Sequence, residues 1–133
     1  MSCAGGRRGD DPADDHGAAV VEFTLVTIVL LMLFVALLQL GMALYVRNTL
    51  VACAAEGARY GANADRTPAD GAAHTADLIG DALSERFADD VTARRTEIDG
   101  VAQVEVTVTT TLPLIGMFGP RTVRVSGHAL AEA

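Results

Sequence analysis

From Phe23 to Val46 the chain carries no charged side chain (FTLVTIVLLMLFVALLQLGMALYV), and the most polar member of the run is Gln39. As an α-helix this run reaches about 36 Å at 1.5 Å per residue, against about 30 Å of bilayer hydrocarbon. A buried helix in a soluble protein of 133 residues rarely needs so long an unbroken run, so the segment is expected to cross a membrane once, with some tilt. Everything else must fold in water on one side or the other.

The two cysteines, Cys3 and Cys53, flank this run. A spanning helix puts them on opposite sides of the bilayer, which excludes a disulfide within one chain and a four-ligand zinc site. All ten basic residues are Arg, and the net charge is -7. A phosphate-reading surface wants a basic face, so nucleic acid is not an expected partner.

Residues 1–17 are rich in Gly, Arg and Asp without periodicity and read as a disordered polar leader. The long helix is expected over 18–62, with its membrane segment at 23–46, because the Ala-rich stretch after Arg47 lacks Pro. Asn63 to Gly71 (NADRTPADG) reads as a break. Residues 63–133 would then form a small head. Ala72, Ala76, Ile79, Leu83 and Phe87 fall on one helical stripe, which predicts a second helix over 72–88. A polar connection is expected from Asp89 to Gly100. Beyond it the period changes to two: Val104, Val106 and Val108 alternate with polar residues, and so do Val123 and Val125. The expected class is α+β: a long transmembrane helix running into a head of one helix packed on an antiparallel β-hairpin or small sheet.

The informative motif is Gly17-Ala18-Ala19-Val20-Val21-Glu22-Phe23, directly before the apolar run. A carboxylate costs roughly 2.5–3.5 kcal/mol at the centre of a membrane helix and less near the interface. A plain anchor gains nothing from one. This arrangement of Gly, four small or apolar residues, Glu and an aromatic resembles the Flp and TadE branch of type IV pilin-like proteins. The resemblance extends to the Ala-rich segment Ala54–Tyr60 and to TLPLIGMFGPRTVRV near the C-terminus. It implies a TadE-like pseudopilin cut by a prepilin peptidase between Gly17 and Ala18, with Glu22 as the fifth mature residue. It also implies a cytoplasmic (inner) membrane location, the N-terminus in the cytoplasm and the head outside. The implied partners are Flp pilin, TadE- and TadF-like pseudopilins, the peptidase and the Tad inner-membrane platform. The leader departs from the family habit, because Asp14, Asp15 and His16 precede Gly17 where basic residues are usual.

A physical role for Glu22 can be stated separately. Cleavage creates an α-amine at Ala18, and an unpaired charge in or near hydrocarbon is unfavourable. A neighbouring subunit shifted along the helix axis could pair its amine with Glu22, setting axial register beside Phe23.

Cys53, Gly57 and Gly61 form a small-residue ridge at i, i+4, i+8. Such a ridge suits close helix packing, either against another pilin-like subunit or against the protein's own head. Leu114, Ile115, Met117 and Phe118 make an apolar hairpin loop that either contacts a partner or folds back over a small core. No cofactor or metal is called for: His74 and Asp77 share an i, i+3 spacing, but two ligands do not make a metal site. No nucleophile–base pair or phosphate loop is evident, so an enzyme is not expected. Two other readings remain open at this stage. One is an uncleaved generic bitopic protein with a small interaction domain. The other is a secreted protein cut after Ala54.

Overall fold

The computed structural model describes residues 12–112 and 119–132. They form helix α1 (Pro12–Ala62), helix α2 (Pro68–Ala82), a 3-10 turn (Glu85–Ala88) and strands β1 (Asp90–Ile98), β2 (Val101–Leu112) and β3 (Arg121–Leu130). The chain divides into two units, residues 1–38 and 39–133. The class is α+β, as expected, and α1 is long and apolar enough to cross a membrane.

Helix α1 starts six residues before Ala18, inside the stretch read as a structureless leader. Pro12 at the first helical position has no N–H to leave unpaired, and Asp14 and Asp15 in the first turn complement the helix dipole. In the first unit every side chain described from Asp14 to Leu38 is exposed. Phe23, Met32 and Phe34 are 74, 68 and 62 % exposed. Water is a poor solvent for such a surface, and lipid a good one. The polar atoms within the run are handled locally: Thr24 Oγ1 donates to the Val20 carbonyl and Thr27 Oγ1 to that of Phe23, both at 2.8 Å. Internal satisfaction of this kind is what hydrocarbon demands.

The second unit is a two-layer head. Its sheet is an antiparallel meander in the order β1-β2-β3. Val104, Val106 and Val108 of β2 are fully buried on the inner face. Register places Val108 between Val91 and Val125, and Val106 between Ala93 and Gly127. Against this face pack Ile79 of α2, Phe87 of the 3-10 turn, and Val46, Leu50, Cys53, Ala54, Ala58 and Ala62 of α1. The tail closes the layer: the Glu132 N–H donates to the carbonyl of Ala62, the last residue of α1, at 2.8 Å. Val46 and Ala43 already belong to this core, so one side of the last turn of the 23–46 run is occupied by the head.

Three expectations need correction. The segment from Asp89 to Gly100, read as a connection, contains β1. Val91 and Ala93 face inward, while Arg94, Arg95 and Glu97 give the strand the charged look of a protected sheet edge. Asp99 and Gly100 both have positive φ (55° and 80°), the signature of a two-residue primed hairpin turn. Helix α2 spans 68–82 rather than 72–88, because Thr67 and Asp70 form a capping box around Pro68. Its buried line is Gly71, Thr75 and Ile79, and Phe87 reaches the core from the separate 3-10 turn. The expected stripe followed the most apolar residues. The actual one keeps Ile79 but takes Gly71 and Thr75 in place of Ala72 and Ala76, for a reason that lies in how α1 and α2 meet.

Candidate assembly site

Gly17 to Phe23 lie on continuous α1, all of them exposed. Ala18 and Glu22 are one helical turn apart on the same side, about 6 Å along the axis. Among the described residues no cation pairs with Glu22. The carboxylate therefore sits at the start of an uncovered apolar run with no counter-charge from its own described chain.

The ridge at Cys53, Gly57 and Gly61 lies within the second unit. Cys53 is buried and free of any disulfide. Gly57 and Gly61 meet α2 backbone to backbone. A Cβ on Gly57 would collide with the Thr75 side chain and come within 2.8 Å of the Gly71 carbonyl. A Cβ on Gly61 would stand 3.1 Å from Gly71 Cα and 3.1 Å from the Thr67 carbonyl. Gly71 faces back toward both, and Thr75 can lie there because its hydroxyl donates to the Gly71 carbonyl at 2.8 Å. Close approach is what selects small residues on both helices. On the other flank of α1, Gly127 of β3 lies directly against the backbone of Ala54 and Ala55. Above the crossing, the Arg66 guanidinium stands 4.5 Å over the Tyr60 ring, which stacks on His74 at 4.2 Å and 16°. Leu114, Ile115, Met117 and Phe118 fall outside the described residues.

The outer face of the sheet holds a polar cluster that the sequence reading missed. Arg94 Nη2 lies 3.4 Å from both Glu105 oxygens, His128 Nε2 lies 3.3 Å from Oε2, and Thr107 Oγ1 donates to Oε1 at 3.2 Å. The Asp99-Gly100 dipeptide would have revealed part of it, since a two-residue turn there sets Arg94 opposite Glu105. Burial alone would raise the Glu105 carboxyl. The bonds from Arg94 and Thr107, the Arg94 charge and the His128 contact outweigh it and hold the carboxyl below its ordinary value.

A carboxyl depressed on folding stabilises the fold above its unfolded pKa, about 4.3 for Glu, and that contribution is lost as pH falls through the folded value. Thermal melts of the solubilised chain should therefore be sensitive to Glu105 near pH 7 and lose that sensitivity as pH falls through its folded value. Glu105→Gln is expected to lower the melting temperature at pH 7 and to have a progressively smaller effect as the pH is made acid. An effect that does not shrink as the pH falls would rule this linkage out.

Residues 17–59 match the family model described as TadE-like protein, the family that the Gly17–Phe23 motif resembles. The matched segment contains that motif, the apolar run and the ridge through Gly57. No curated protein and no solved structure matches the chain.

Proposed function

With residues 17–59 matching the TadE-like family, we propose that this chain is a minor pseudopilin of a Tad/Flp-type pilus assembly and secretion system. A prepilin peptidase removes the leader after Gly17, and the mature chain acts in pilus initiation or assembly. It works from the cytoplasmic membrane, N-terminus in the cytoplasm and head outside, with Flp pilin, TadE- and TadF-like pseudopilins and the Tad inner-membrane platform as partners.

The observation that carries this reading is Glu22, an exposed carboxylate without a cation among the described residues at the entry to an uncovered apolar helix. A charge in that position is useful when a neighbouring subunit supplies the counter-ion. The new α-amine at Ala18 of a neighbour is such a group, positively charged near pH 7 when its pKa is about 7.7–8.0. Gly17 also eases the cut, since a glycine inside a helix weakens it by about 1 kcal/mol relative to Ala and a peptidase needs locally opened backbone.

The test at the level of the organism is deletion of this gene in its own host. Surface pili should be lost and restored by the full-length chain expressed in trans. Piliation unchanged by the deletion would contradict a role in assembly.

A further inference from the structure

The helices cover one face of the sheet and leave the other open. At one end of this outer face Ile98, Val101 and Leu130 are 44, 47 and 66 % exposed. Ile98 pairs with Val101, and Leu130 pairs with Gln103 two residues further along the same side of β2. The middle holds Arg94, Glu105 and His128. At the far end Thr92, Thr107 and Arg124 line a shallow depression with Arg94 and Glu105. Arg124 has no carboxylate partner among the described residues.

Glu105 and Asp90 offset Arg94 and Arg124 in number on this outer face, but Arg124 is left without a bonded carboxylate among the described residues, and the opposite layer of the head carries exposed ones. On α2, Asp70, Asp77 and Asp81 are all exposed and fall within about 40° of one another around the helix. Ala69, Ala73 and Ala82 are exposed on the same helix, so the acids stand on a smooth surface with little to obstruct a neighbour.

We propose that the outer face of the sheet docks the acidic face of α2 from a second copy of this chain. Such a contact joins two different surfaces, so it repeats from copy to copy instead of closing into a dimer. The face measures about 10 by 30 Å, about 300 Å², against about 800 Å² per partner in a stable complex. Free molecules therefore associate weakly, and the contact forms among copies confined to one bilayer, where the anchor raises their effective concentration. The exposed ion pairs set orientation and register, and the apolar trio supplies the water-excluding part. The proposal requires only that copies share a membrane, so it holds whether or not the leader is removed.

The test uses the full chain in liposomes, with Cys3→Ser and Cys53→Ala as background. One preparation adds Ser126→Cys on the outer face of β3, and the other adds Ala73→Cys on α2. Each is first shown to melt cooperatively. On mild oxidation of the mixture, the mixed disulfide should exceed either self-disulfide at least fivefold. Arg124→Glu in the sheet-labelled chain should cut its yield at least fivefold, and Asp77→Arg with Asp81→Arg in the helix-labelled chain should restore it. Dominant sheet-to-sheet disulfides would mean that the face pairs with itself. That result, a yield unmoved by Arg124→Glu, or no mixed disulfide above the self-disulfides would each overturn the proposal.

Discussion

Gly57→Val is expected to lower the melting temperature of the head by about 15 °C, corresponding to about 3 kcal/mol in a domain of this size. The added carbon atoms have nowhere to go. The first would stand where the Thr75 side chain lies and 2.8 Å from a backbone carbonyl of α2, and a backbone cannot rotate aside as a long side chain can. Helix α2 must move off α1, which opens the contact around Ala54, Ala58 and Ile79, all fully buried. Gly80→Ala should act in the opposite direction. A Cβ there meets the Glu85 side chain at an ordinary 3.5 Å, and the change favours the helical backbone by about 0.5–1 kcal/mol. Circular dichroism melts of the detergent-solubilised chain, read in the β and helix bands, check both. An unchanged melt for Gly57→Val would contradict the close crossing.

Glu22→Ala should leave the protein in the membrane and reduce its co-purification with other pilin-like subunits at least tenfold. Membrane retention follows from hydropathy: the change removes a charge from the edge of an apolar helix that already suffices to span. Loss of co-assembly follows from pairing. Truncating one partner of a desolvated ion pair leaves the other charge buried alone, a loss of about 3–5 kcal/mol where burial is complete, and tenfold requires only about 1.4 kcal/mol. Glu22→Gln keeps the shape and removes the charge, so it should resemble Glu22→Ala. Co-purification of either variant at the level of the unaltered protein would show that Glu22 plays no part in register.

The elements legible in the sequence were those whose pattern reflects a single dominant force. The exposed apolar run of α1, long and apolar enough to cross a membrane, was visible in its lack of charge, and the valines of β2 are buried where their alternation placed them. Strand β1 escaped because it is an edge strand: its inward side carries only two apolar residues, Val91 and Ala93, and continues with Arg95 and Glu97, which breaks the alternation. The start of α2 escaped because Pro68 reads as a breaker until Thr67 and Asp70 are seen to cap it. Gly71 and Thr75, which share the buried line with Ile79, were illegible for a different reason. They were selected by the closeness of Gly57 and Gly61, a tertiary fact that hydrophobicity does not encode. The motif of the candidate assembly site, Gly17 to Phe23, could be read directly, whereas the Arg94–Glu105–His128 cluster on the sheet needed the strand register.

The measurement that bears most directly on the central claim is the intact mass and N-terminal sequence of the membrane-extracted protein, made with and without its prepilin peptidase. The account predicts a mature chain beginning at Ala18 when the peptidase is present and the uncut leader when it is absent. A chain that keeps its leader under both conditions would contradict it and leave a bitopic protein with an ordinary anchor, and a chain beginning at Ala55 would make the apolar run a signal peptide.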